Sequence, residues 1–356
     1  MRSYNLDDET MKKLSLIYKK WLFHPIRLYR IFEVIQESEE FRNMIFKNTE
    51  KYRKWTNKVS KQINISEDKL FLKTNRKKTR GYLINNKNPI TDYLLSDSET
   101  IKNIVTKYGD IEHPSFSKIE NLYNSLRKKI GYDIVKTLDI KSCYVCGINM
   151  IEAFMVKEKK YFKGEFDHHY NKSDYKYLSI NLYNLIPVCK ACNHTKSFNP
   201  KRIINPYNTN IEMKYNYNVK LYGEEESLIN INKQAKTKES ENFDIKVFEG
   251  IGTNFNIKIE SDDIIVNNTK EVIYLEERIN SHKDLVSEIF KHSYWYSTAY
   301  RKQLKKITEK YIEDENIFDS FENFVSFIYG EDLLNNKSTK EFFKLKKDII
   351  RLCNER

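Results

Sequence analysis

Two Cys-x-x-Cys knuckles, Cys143-Tyr-Val-Cys146 and Cys189-Lys-Ala-Cys192, restrict this chain more than any other feature of its sequence. Each knuckle sets two thiolates on one tight turn, about right for two corners of a tetrahedron. Two such turns complete a closed four-sulfur shell that suits a structural zinc ion and leaves no open position for chemistry. A disulfide pair or an iron–sulfur site would be the alternatives. A disulfide framework, however, belongs to small secreted chains, and this one has 356 residues. The fifth cysteine, Cys353, lies near the end of an expected helix and reads as a packed or free thiol. Chemistry is therefore expected from the residues held between the knuckles.

A chain of this length exceeds one compact core, so two or three domains are expected. With 9 Gly and 6 Pro it has few breakers, and it is rich in helix formers. Leu14, Ile17, Tyr18 and Leu22 mark one helical face, and further helical patterns cover 41–63, 98–108 and 115–130. After the second knuckle, 215–222, 242–248 and 254–259 alternate with period two, as antiparallel strands do, and from Thr269 the pattern is helical again. The expected class is α+β. It comprises a helical N-terminal domain over 1–136, a zinc-stapled core over 137–205, and a C-terminal domain of antiparallel strands followed by helices over 206–356.

The net charge of +12 favours a polyanion as partner, through counterion release, over an acidic or apolar one. Two basic–aromatic stretches, 73–82 and 293–310, are candidates for that contact, beside the plainer reading of solvated lysine faces. No apolar stretch approaches the ~20 residues of a membrane span. The first ten residues lack a basic segment followed by an apolar run. The expectation is a cytoplasmic protein.

Between the knuckles stand Asp167-His168, Asn184 and, just past the second knuckle's last cysteine, Asn193. A strand–loop–strand–helix order would bring the four together. One carboxylate and one amide oxygen suit a hard divalent ion such as Mg2+, which keeps waters that a substrate can displace. An imidazole with an ordinary pKa near 6.5 can accept a proton from water at neutral pH. Together they fit hydrolysis of a phosphodiester.

These residues resemble the HNH (ββα-metal) endonucleases, in the subgroup whose zinc knuckles supply four cysteines. The matching run is Cys143/Cys146, Asp167-His168, Asn184-Leu185, Cys189/Cys192-Asn193 and Lys196. The resemblance covers 143–197 and implies a ββα core in which His168 activates water. By the same resemblance, Asp167 and Asn193 bind a catalytic Mg2+ or Mn2+, and Asn184 ties down the loop and orients His168. Ser197 stands where some relatives place a further metal-binding His, so a metal shell of the Asp/Asn type is indicated. Products with 5′-phosphate and 3′-hydroxyl ends follow.

His169 also neighbours the acid, but in the family the base directly follows it. His194 would point roughly 100° around the helix from Asn193, as a surface or phosphate contact, and Lys196 would either touch the substrate backbone or be solvated. The expected partner is DNA, double-stranded, and breaking both strands would need a homodimer, two events or a second nuclease. The flanks, at 203–207, 276–284 and 343–349, resemble bacterial HNH proteins, some of which serve anti-phage systems such as Septu and certain retrons beside an ATPase subunit. An RNA-cleaving toxin and a non-catalytic zinc DNA-binding protein are the rival readings.

Overall fold

The computed structural model describes residues 6–70, 75–197, 199, 201–208, 210–222, 228–230, 255–296, 298–308, 315–318, 320, 323–326 and 342–354. Helices and small antiparallel sheets make up the chain, an α+β composition. Two compact units are present. One contains the described residues of 3–140 and 151–209, the other Lys141–Met150 with those of 210–356. Among the described residues no helix is long and apolar enough to cross a membrane.

Among its described residues the first unit begins with nine helices: α1 (Asp8–Leu22), α2 (Pro25–Glu37), α3 (Glu39–Phe46), α4 (Thr49–Ile63), α5 (Arg76–Asn85), α6 (Pro89–Leu94), α7 (Ser98–Tyr108), α8 (Phe116–Glu120) and α9 (Leu122–Thr137). Their starts are written in short polar side chains. Asp7, Ser38, Asn48, Asn88 and Asp97 each accept a backbone N–H three residues on, supplying a partner that the first turn lacks. Leu14, Tyr18 and Leu22 form the buried stripe of α1, and α1 packs along α9. The single helical pattern read over 41–63 is two helices. Lys47, at φ 70°, ends α3, and Asn48 caps α4. Of the basic stretch at 73–82, the part from Arg76 onward lies within α5, and 73–74 lie outside the described residues.

The remainder of this unit carries four short strands: β1 (Ala153–Val156), β2 (Lys159–Phe162), β3 (Glu165–His168) and β4 (Leu185–Val188). β1 and β2 form one antiparallel hairpin, and β3 pairs antiparallel with β4 in a register that sets Asp167 opposite Ile186 and His168 opposite Leu185. The apolar–polar run 161–166 does not form one strand but is broken at Lys163-Gly164 between the two pairs. A Cβ on Gly164 would come within 2.7 Å of the Phe162 ring. The wholly buried β4 leads into α10 (Lys190–Lys196), which packs on β3.

α9 is the brace behind this assembly. Its Tyr123 hydroxyl donates to the Phe166 carbonyl at 2.7 Å, and Arg127 donates to the Glu165 carboxylate at 2.7 Å and the Gly164 carbonyl at 3.2 Å. One turn further, a Cβ on Gly131 would stand 2.7 Å from the Phe162 ring, so the absent side chain lets that ring close on the helix.

In the second unit, the 215–222 and 254–259 alternations appear as β5 (Asn216–Tyr222) and β7 (Phe255–Glu260), paired antiparallel, with β6 (Leu228–Asn230) on the other edge of β5. The strand expected over 242–248 and part of the basic stretch ending at Lys310 lie outside the described residues. Helices Ile264–Val272, Leu275–Asn280, Lys283–Trp295 and Phe343–Asn354 accompany the sheet. Buried Asp348 accepts the Tyr217 N–H at 2.9 Å and pairs with Lys344 at 2.7 Å.

Candidate active site

The first knuckle is a tight turn: the Gly147 N–H donates to the Cys143 carbonyl at 2.6 Å, with Gly147 at φ 69°. In the second, Cys189 is the N-cap of α10 and its sulfur accepts the Cys192 N–H at 3.4 Å. Cys143, Cys146, Cys189 and Cys192 are buried and free of disulfides, and their sulfurs all lie within 4.8 Å of one another. A zinc tetrahedron with Zn–S near 2.3 Å needs sulfurs roughly 3.8 Å apart. The cluster therefore needs only a small contraction, and it could bind a zinc ion.

Asp167 and His168 end β3 and open onto a cleft of about 1090 Å³, whose lining also includes Asn193, His194 and Lys196 of α10. His168 is buried, and its ring lies 4.7 Å from that of Tyr123. Its Nε2 is 2.9 Å from the Ser179 carbonyl oxygen, which can only accept. In the neutral ring the proton therefore sits on Nε2, and the Nδ1 lone pair is left to accept. Nδ1 has no hydrogen-bond partner among the described residues. Burial, reinforced by the Lys172 and Lys196 ammonium groups, lowers the His168 pKa to about 4, against the opposing pull of the Ser179 bond. The ring is thus neutral at physiological pH.

Asp167 is held differently. Its Oδ2 lies 2.5 Å from the Lys196 ammonium, with both side chains buried. Lys196 also donates to the His168 carbonyl at 2.9 Å. Burial raises the Asp167 pKa, and the lysine charge opposes that rise. Lys196 is thus neither solvated nor extended toward the cleft mouth; it neutralises the acid from the last turn of α10. His194, by contrast, is exposed on the rim.

Asn184 is fully buried behind the cleft. Its Oδ1 accepts the Tyr170 N–H at 2.7 Å, and its Nδ2 donates to the Tyr170 and Leu178 carbonyls at 3.1 Å each. These bonds clamp the loop that ends at Ser179, so any influence on His168 passes through that loop. Ser197 closes α10 at φ 25° and is exposed. His169 has a buried Nδ1 without a partner among the described residues, and burial, with Lys196 and Arg202, lowers its pKa to about 3.

Several residues of the site carried no local signal in the sequence. Ser179 contributes through its carbonyl, which any residue supplies. Tyr123 belongs to a helix far upstream. Arg202 lies over the Tyr170 ring at 4.6 Å, and Lys172 over Tyr123 at 5.6 Å, so two cations on the cleft wall are seated on aromatic faces.

Asp167 and Asn193 both line the cleft and could offer a carboxylate and an amide oxygen to a divalent ion, with Lys196 engaging one of the two carboxylate oxygens. Oxygen donors are the kind that Mg2+ takes, drawing much of its shell from water. Comparison with family models, with curated proteins and with solved structures finds no match to this chain.

Proposed function

We propose that this chain is a metal-dependent endonuclease of the HNH type that hydrolyses DNA phosphodiester bonds. The observation that carries the reading is the geometry of His168: Nε2 is tied to a carbonyl and Nδ1 has no partner among the described residues, at the wall of a cleft shared with Asp167 and Asn193. A neutral imidazole fixed in one tautomer is what a general base for water requires. Lys172, Lys190, Lys201 and Arg202 on the same lining suit a polyanionic substrate.

Asp167 and Asn193 would hold Mg2+ or Mn2+, which when bound supplies charge neutralisation at the scissile phosphate and the leaving oxygen. The chain's own part is to orient and to move one proton. The Ser179 carbonyl fixes the ring, and Nδ1 takes the proton from the attacking water. Asn184 keeps the 170–179 loop, and with it that carbonyl, in position. The four cysteines, with zinc bound, would hold the start of α10 and hence Asn193. Participation in restriction or anti-phage defence, with an ATPase as partner, rests on the resemblance of the flanks alone.

The Asp167–Lys196 pair supports one rival, a protein that binds nucleic acid without cutting it, because the acid already has a counter-charge. Incubating plasmid with the purified protein and Mg2+ or Mn2+, beside His168→Ala, separates the two. Nicking by the native protein and loss of at least about a hundredfold in the variant is expected. Equal nicking by both, or none by either, removes the catalytic reading. Labelled DNA and RNA in competition decide the sugar.

A further inference from the structure

The β1–β2 hairpin leads directly into β3, and its outer face has no role in the chemistry above. The hairpin turns through Lys157 and Glu158, both at positive φ, the conformation a two-residue loop of this twist uses. Side chains alternate across it. Phe162 closes on Gly131 of α9, and Lys160 bonds Asp133 of the same helix at 2.5 Å, so this face is turned to α9.

The opposite face carries Phe154, Val156, Lys159 and Tyr161. Phe154 and Tyr161 are cross-strand partners with rings 5.3 Å apart and nearly parallel at 16°. Phe154 is 39% and Val156 50% exposed, unusual for an apolar strand face. Lys159 and Lys163 lie over the Tyr161 ring at 5.5 and 5.9 Å. Beside it on α9, Tyr132 is flanked in the same way by Lys136 and Lys160, at 6.0 and 5.5 Å. Segments 128–137 and 152–163 together hold seven lysines against three carboxylates. An apolar face seeking a protein would not be ringed by so much charge of one sign. Aromatic rings interleaved with lysines suit a phosphate backbone and its bases.

We infer that the outer face of the β1–β2 hairpin grips the same nucleic acid that reaches His168, on the flank of the scissile phosphate. This rests on the endonuclease reading and adds where the substrate is held. The placement is physical: α9 braces both sites, with Tyr123 and Arg127 at the cleft and Gly131–Asp133 under the hairpin. At 1.5 Å per helical residue, the two lie about 6–15 Å apart along the axis, a few nucleotides of backbone.

The test uses full-length, zinc-loaded protein carrying His168→Ala, so that binding is read without cleavage. A fluorescein-labelled DNA duplex is titrated by anisotropy across a series of salt concentrations. Adding Phe154→Ala with Tyr161→Ala is expected to raise Kd at least about tenfold. Adding Lys159→Gln with Lys163→Gln is expected to reduce the slope of log K against log salt by about 1.8. Circular dichroism confirms that these surface variants remain folded. Unchanged Kd and slope in both, with DNA still bound, would overturn the hairpin assignment and leave the nuclease reading standing, as would a hairpin that seats a protein. No DNA binding by the parent protein would overturn both.

Discussion

Acidification should weaken the fold through His168 by an amount that its surroundings set. The folded pKa of about 4 lies below the ordinary 6.5, so the fold favours the neutral ring. Its contribution to stability is complete above pH 6.5 and is lost as the pH falls toward 4. Each pH unit in that window removes about 1.4 kcal/mol, or about 2 kcal/mol between pH 6.5 and about 5. His168→Gln provides the reference, because an amide can still donate to the Ser179 carbonyl and does not titrate. Asp167 shifts in the opposite sense and His169 in the same one, but both are present in the two proteins and cancel in the difference.

Urea or thermal melts of both proteins from about pH 7.5 to 5 measure that difference. The native protein should lose about 2 kcal/mol relative to the variant, or about 4–8 °C in Tm for a unit of roughly 200 residues. A difference constant with pH would mean that the ring is solvated and charged at will, and the argument for a preset base would fail. The same pKa implies that the hydrolysis rate shows no descending limb near pH 6.5, where an exposed histidine would lose its basic form.

Lys196→Met should leave the Asp167 carboxylate buried without its counter-charge and cost about 3 kcal/mol in chemical denaturation, with Asp167→Asn on the same background restoring most of it. Equal stability of the single and double variants would show that the pair is not coupled. Metal analysis should find about one zinc per chain, reduced in Cys192→Ser together with a fall in Tm, because binding free energy at a structural site is folding free energy. Full zinc content and an unchanged melt in that variant would count against the four-sulfur site.

What the sequence made legible was local. The knuckles and the Asp167-His168 pair at a strand end depend on residues within a few positions of one another. Their geometry follows from backbone periodicity. The broken helix at Lys47 and the break at Gly164 were hidden because hydrophobic periodicity runs across both. The hairpin was hidden because its strands are short and one face is exposed.

The tertiary structure decided the electrical state of the site. Lys196 is 29 residues from the acid it neutralises, Tyr123 43 from the carbonyl it braces, and Ser179 11 from the imidazole it orients. No spacing rule links such pairs. Packing brings them together, and burial then determines which groups keep their charge: a carboxylate that retains a partner, and a histidine that stays neutral. Sequence alone named the chemical groups, whereas removal from water and the neighbours thereby acquired set what those groups can do.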